Sequence, residues 1–231
     1  MPAAVEALCY RLCRYVLVGP VLWIVGRPRI LGRHNLPGRG PLVVAANHLA
    51  VLDSFYLALA LRRPVKFLAK AEYFDGAGLS GAVKRWFFLA VGQIPVDRRG
   101  GVSAGSALDA AVRVVESGGV WGIHPEGTRS PDGRLYRGRT GAVRVALATG
   151  AALIPVAITG TRNSGVAMWW RRRVVVEILP EFDMGATRAD VDVRAATDEL
   201  MQRIASRSGQ EYVDSYARTW TSEPAKRADA A

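Results

Sequence analysis

Lysine is nearly absent from this chain. Only Lys66, Lys70, Lys84 and Lys226 are lysine among its 31 cationic residues, and the other 27 are arginine. With 20 acidic residues the formal charge is +11. Arginine suits planar, bidentate capture of phosphate, so an anionic partner is expected. Charge alone leaves nucleic acid, an anionic membrane, a phosphorylated metabolite and a merely solvated basic face all open. Cysteine is scarcer still: Cys9 and Cys13 stand four apart on what reads as one helix. That excludes a disulfide framework and fits a reducing, cytoplasmic setting, with the pair on a buried or lipid-facing stripe. Three histidines, His34, His48 and His124, show no metal-ligand spacing, so no metal is expected. A long apolar run is also missing. The uncharged stretch Tyr15 to Gly26 contains Pro20 and falls short of the ~20 residues of a bilayer span, and it lacks the small-residue cleavage site of a secretory signal.

What is present is a chain of 231 residues, 50% hydrophobic, enough for one domain with a substantial core. Residues Val5 to Gly26 are apolar and aromatic, interrupted by Glu6, Arg11 and Arg14. They fit an in-plane amphipathic helix with Tyr15 and Trp23 at headgroup depth, or an ordinary core-packing helix. Short β-rich runs follow at Pro41–Ala46, Val65–Ala69, Gln93–Val96, Val120–His124, Leu153–Ile158 and Val174–Ile178. Helical spacing appears at Ser54–Leu61, Gly81–Leu89, Ser106–Glu116, Thr140–Thr149 and Val191–Ser208. This alternation predicts an α/β fold: a single domain with a mostly parallel mixed sheet flanked by helices. The expected division is a membrane-associating helix over 1–27, the domain over 28–220 and a polar, disordered tail over 221–231.

Three polar clusters follow directly on predicted strands. Asn47-His48 follows PLVVAA, Asp97-Arg98 follows GQIPV, and Glu126-Gly127-Thr128-Arg129 follows GVWGIHP. In open α/β sheets ligands gather beyond the carboxyl ends of strands, so the three are expected to converge on one cleft. The first cluster pairs His48 with Asp53. A hydroxyl is a poor nucleophile until a base takes its proton, and imidazole titrates near neutrality. A carboxylate on the far ring nitrogen fixes the tautomer and stabilises the imidazolium as it forms. An offset of five does not stack two residues on a regular helix. The pairing therefore requires His48 in the turn before the helix and Asp53 near its first turn. Arg98 and Arg129, with Arg99 and Arg139 as lesser candidates, suit a phosphate clamp, each contact stabilising by roughly 1.5–3 kcal/mol. Taken singly, each is more simply a solvated cation. Gly127 allows close backbone approach, and nearby amides suit phosphate or a developing oxyanion. Glu126 reads as orienting an arginine, binding an acceptor hydroxyl or forming a structural ion pair.

In this order the blocks resemble the glycerophospholipid acyltransferase family, typified by 1-acylglycerol-3-phosphate acyltransferases. The matching blocks are Asn47-His48 through Asp53, Gly92 to Arg98 (GQIPVDR), Pro125 to Ser130 (PEGTRS) and Leu153 to Val156 (LIPV). Asn35-Leu36-Pro37, Lys70 with Glu72, and Arg139 to Ala142 add support over roughly Gly32 to Gly160. The resemblance implies His48 as general base and Asp53 as its orienter. Asn47, Arg98, Glu126, Gly127, Thr128, Arg129 and Arg139 would serve a glycerol-phosphate acceptor, and Ile154 with Pro155 the acyl donor. It also implies direct attack on a thioester of coenzyme A or acyl carrier protein, with no cofactor and no nucleic-acid partner. The protein would sit on the cytoplasmic face of an anionic membrane, peripheral or monotopic. One departure stands out: His124 occupies the position before Pro-Glu-Gly that is usually phenylalanine, and reads as a packing or hydrogen-bonding substitute.

Two other motifs compete. Gly101-Val102-Ser103-Ala104-Gly105 fits the nucleophile elbow of serine hydrolases, with His124 as the only downstream histidine. Ser103 or Ser106 reads more simply as a helix cap, Ser106 with Asp109 forming a capping box. Gly76 to Gly81 fits G-x-G-x-x-G but lies six residues after its strand, too far for a dinucleotide turn. Lys84 to Phe88 and Trp169 to Arg173 mix aromatic and cationic residues. The first reads as a core helix face, the second as a membrane contact. A basic membrane- or nucleic-acid-binding module therefore stays open beside the two enzyme readings.

Overall fold

The computed structural model describes residues 3–70, 75–76, 78, 80–82, 93–96, 103–162, 173–185 and 191–218. Its centre is strand β2 (Leu42–Ala46), five residues that are all buried. A continuous apolar run of this kind suits a strand covered on both faces. Leu42, Val44 and Ala46 pack toward one helical layer, Val43 and Ala45 toward the other. The remaining strands of the sheet are β1 (Arg29–Leu31), β3 (Val65–Lys70), β4 (Gln93–Val96), β5 (Val120–Ile123), β7 (Ala152–Thr159) and β8 (Val175–Ile178). They line up in the order β1-β8-β7-β2-β5-β3-β4. Among the described residues only β7 with β8 pairs antiparallel, so β2, β3, β4, β5 and β7 all point their carboxyl ends to one edge. A small parallel ribbon joins β6 (Leu135–Tyr136) to β9 (Tyr212–Val213).

Helix α3 (Asp53–Ala60) covers one face of the sheet with Tyr56, Leu57 and Ala60. The other face meets α4 (Ser103–Glu116), α5 (Gly141–Thr149) and α6 (Val193–Ser208) through Val115, Val143, Ala146, Leu200 and Ile204. Asp192 caps α6 by accepting from the amides of Arg194 and Ala195. The chain thus folds as three layers, the expected α/β architecture. Helix α4 begins at Ser103, so Ser106 lies a turn inside it and not at the helix start that a capping box marks. The expected Gly81–Leu89 helix, the Trp169–Trp170 pair and the tail over 221–231 lie mainly outside the described residues.

The N-terminal helix is α1 (Ala3–Leu12) and α2 (Val18–Gly26) joined by a π-turn over Cys13–Leu17. It is longer than its uncharged run. The 19 residues Leu8–Gly26 are long and apolar enough to cross a membrane by length and composition, with a mean hydropathy of 1.5. Tyr10, Cys13, Gly19, Leu22 and Gly26 form its buried stripe. Contact is close because glycine is where it is: a Cβ on Gly26 would stand 2.0 Å from the Tyr56 hydroxyl of α3. Arg14 Nη2 and Arg33 Nε donate to the carbonyls of Leu59 and Ala60, satisfying the open end of α3. The outer face inverts the usual pattern, leaving Leu8, Tyr15, Val16, Val21, Trp23 and Ile24 exposed.

At Gly19 a Cβ would lie 1.7 Å from the Arg14 carbonyl oxygen, inside the π-turn. Gly19→Ala should therefore lower stability in urea unfolding, although alanine ordinarily favours a helix by ~1 kcal/mol over glycine. A stabilised variant would mean that the π-turn is not part of the folded helix.

Candidate active site

The site grows from a buried carboxylate. Asp53, the first residue of α3, is fully buried, and its Oδ2 accepts from the amides of Leu49 (2.5 Å) and Ala50 (2.7 Å). The same oxygen meets His48 Nδ1 at 3.1 Å. A carboxylate at a helix N-terminus is favoured by the helix dipole, and these donors offset the cost of its burial. They also wrap residues 48–53 into a turn around it. Because the carboxylate can only accept, Nδ1 carries the proton and Nε2 carries the lone pair. The His48 side chain keeps 18% of its surface exposed, so the ring can be reached from solvent.

His124, just past the end of β5, lies flat on that ring. The centroids are 3.9 Å apart and the planes 9° from parallel. Its Nδ1 stands 3.0 Å from the carbonyl oxygens of both Ala46 and Asn47, and so is the protonated nitrogen. Its Nε2 then accepts from the Ser54 hydroxyl at 2.9 Å. Desolvation, and next the neighbouring His48, hold its pKa well below the usual imidazole range. A neutral, doubly tethered imidazole therefore fixes the plane of the His48 ring. Both nitrogens are engaged, which removes the only downstream histidine from a Ser103 hydrolase; the Ser103 side chain itself lies outside the described residues.

Glu126 holds the same residue by its main chain. It is 1% exposed, with Oε1 accepting from the His48 amide (2.8 Å) and Oε2 from the Tyr136 amide (3.2 Å). The Ser130 amide donates to the His48 carbonyl at 2.8 Å. Burial raises the Glu126 pKa from 4.5 to about 7 against the lowering effect of its two N–H donors. Asn47 is likewise engaged. Its amide exchanges two bonds with Ile158 of β7, at 2.8 and 2.7 Å, and donates to Gln210 Oε1 at 2.6 Å.

The residues expected to meet an acceptor thus divide. Asn47 and Glu126 direct their polar atoms into the chain and build the frame. Gly127 (φ 75°) closes the turn after β5, its amide donating to the His124 carbonyl at 3.0 Å. A Cβ at Gly127 would lie 2.9 Å from Arg139 Nε, so Arg139 packs directly over this glycine. Thr128 and Arg129 are half-buried in the same loop. Strand β4 ends at Val96 on the edge shared with β2 and β5, and Arg98 and Arg99 lie just outside the described residues. Ile154 and Pro155 sit inside β7, paired with Val44 and Ala45 and buried. Sequence reasoning missed the ring stack, the Ser54 tether and the part played by Gln210. The one signal was the histidine in a position that the resemblance gives to phenylalanine.

Residues 27–159 match the family model described as Acyltransferase. Among curated relatives, the 1-acyl-sn-glycerol-3-phosphate acyltransferase of Borreliella burgdorferi is 31% identical over 143 residues, 62% of this chain and 55% of that protein. A chloroplastic enzyme of the same name from Arabidopsis thaliana is 34% identical over 57% of this chain and 36% of its own length. The chain therefore spans about half or less of the length of these relatives. One from Bacillus subtilis is 28% identical over 84% of this chain and 94% of its own length. The crystal structure of the 1-acyl-sn-glycerophosphate acyltransferase PlsC from Thermotoga maritima shares the fold, with a TM-score of 0.62, 22% identity, and coverage of 87% of this chain and 79% of that one.

Glu126 supplies a pH test of the frame. Its folded pKa lies above its ordinary one, so its contribution to stability is complete below about pH 4.5 and is lost as pH rises through about 7. In urea unfolding, the advantage of the wild type over Glu126→Gln should shrink between about pH 5 and pH 7, by up to about 3 kcal/mol. An advantage that grows with pH would mean that the two N–H donors keep this carboxylate ionised.

Proposed function

The chain belongs to the acyltransferase family, and on that premise we propose that it moves a fatty acyl group from a thioester to a hydroxyl of lysophosphatidic acid or glycerol-3-phosphate, in phospholipid synthesis. The donor is acyl-coenzyme A or acyl-acyl carrier protein. The observation that carries this reading is the His48 ring, fixed at Nδ1 by Asp53 so that the Nε2 lone pair is left for a proton. The acceptor hydroxyl gives its proton to Nε2 as its oxygen attacks the thioester carbonyl carbon. The resulting imidazolium is stabilised by the Asp53 carboxylate. The C–S bond then breaks, and the leaving thiolate takes the proton back from Nε2. No acyl-enzyme forms, and the histidine ends as it began.

Guanidinium groups of Arg129 and Arg139, and Arg98 beyond the described residues, bind the acceptor phosphate. The loop that bears Arg129 is tied to His48 through Ser130 and Glu126, which favours this assignment. The N-terminal helix rests in the interface of an anionic membrane on the cytoplasmic side. One stripe of it packs on α3 while its outer face stays apolar, an arrangement suited to a helix lying along the surface.

Incubation of the full chain with radiolabelled palmitoyl-coenzyme A and a panel of acceptors tests this reading. His48→Ala should lower kcat about 10²- to 10⁴-fold with an unchanged circular dichroism spectrum. Activity kept within about ten-fold would remove His48 from the proton transfer. Arg129→Ala should raise KM roughly ten-fold for lysophosphatidic acid and far less for monoacylglycerol. Equal losses on both acceptors would argue against a phosphate clamp.

A further inference from the structure

The segment after α6 crosses the site although it lies beyond the residues matched by the family model. Strand β9 runs parallel to β6, and the Leu135 amide donates to the Glu211 carbonyl (2.9 Å). The Arg137 amide is shared between the carbonyls of Val213 and Ser215, both at 3.1 Å. Gln210 fixes the near end, donating to the Gly133 carbonyl (2.8 Å) while accepting from Asn47, the neighbour of His48. These ties bring Tyr216, half-exposed, among three arginines.

Two of the three are already neutralised. Arg137 pairs with Asp198 (3.5 Å) and Asp214 (3.4 Å). Arg194 pairs with Asp198, and its Nη1 donates to the Gly138 carbonyl (2.8 Å) and toward the Tyr216 hydroxyl (3.4 Å). Arg139 differs. Among the described residues it makes no ion pair; its guanidinium lies 5.3 Å from the Tyr216 ring centroid, and its Nε lies against Gly127. An aromatic face attracts a guanidinium without cancelling its charge, so the cation is held yet still available to an anion.

We propose that residues 210–217 form part of the acceptor-phosphate site, with Tyr216 a positioning residue that holds the Arg139 guanidinium ready for the phosphate. This rests on the reading above in one respect, that Arg139 binds phosphate. Ordering the side chain before the ligand arrives reduces the conformational entropy lost on binding. The benefit is equal in ground and transition states, so it shows in KM and not in kcat.

The test is steady-state transfer from palmitoyl-coenzyme A by the full chain, with lysophosphatidic acid and monoacylglycerol as acceptors. Tyr216→Leu should raise KM for lysophosphatidic acid about three- to five-fold, the worth of an exposed cation–π contact, with kcat and the monoacylglycerol KM unchanged. Tyr216→Phe keeps the ring and should stay within about two-fold of the wild type. Arg139→Gln should raise the same KM, and adding Tyr216→Leu to it should change nothing more. If Arg139→Gln raises KM and Tyr216→Leu does not, or if Tyr216→Leu harms both acceptors alike, the positioning role is overturned. If Arg139→Gln leaves KM unchanged, the clamp reading of Arg139 fails and this inference with it.

Discussion

Burying a carboxylate is costly unless donors converge on it, and Asp53 meets that constraint through one oxygen. Two amides and one imidazole N–H reach Oδ2, and all three belong to the five residues just before it. The turn, the helix start and the tautomer of His48 are therefore one structural event. Remove the carboxylate and the amides of Leu49 and Ala50 lose their acceptor, the turn loses its centre, and the ring loses the bond that leaves Nε2 unprotonated. A second buried carboxylate, Glu126, acts on the same residue from the other side by accepting from its main-chain amide. Side chain and backbone of His48 are thus held independently, while His124 fixes the plane of the ring. In the proposed proton transfer such prior fixing of the imidazole would leave no reorganisation for the reaction itself.

The sheet supplies the rigidity behind these contacts. Strand β2 is central and wholly buried, and its end leads directly to Asn47 and His48. Asn47 ties that end to Ile158 of β7 with two hydrogen bonds, so the turn that carries His48 is fixed to two adjacent strands. The neighbour on the other side, β5, ends at Ile123 and leads into His124 and Glu126. The apolar blocks that resemble a donor-binding motif, Ile154 and Pro155, lie inside this frame and shape the strand beneath the site.

Much of this was legible in the sequence where the physical signal is local. Six of the seven strands in the main sheet announce themselves as short β-rich runs between helical spacings, and an offset of five between His48 and Asp53 demands a turn followed by a helix. Other features leave no local trace. Strand β1 has three residues, and β6 and β9 have two each, too short for any periodicity to register. The parallel pairing of β8 with β1 joins Arg29 to Val175, segments far apart in sequence. Of the two serines that suit the start of α4, Ser106 with Asp109 imitates a capping box, whereas the helix begins one turn earlier, at Ser103. Residue type alone also cannot say which way a polar group faces, so Glu126 and Asn47 read as ligand-facing in the motif although their polar atoms bond to the chain itself, Glu126 to two amides and Asn47 to Ile158 and Gln210. Tyr216 is 77 positions from Arg139 and belongs to no motif, and only the folded chain joins them.

The central claim is that the Asp53 carboxylate holds His48 in the tautomer that accepts a proton at Nε2. The most direct measurement is kcat for acyl transfer by Asp53→Asn, a near-isosteric change that can still accept from the two amides but no longer carries the charge. The account predicts a loss of about 10³- to 10⁴-fold with the fold retained, as a reversed or unrestrained imidazole would produce. A variant working within about ten-fold of the wild type would show that proton transfer does not depend on this carboxylate, and the mechanism would have to be abandoned.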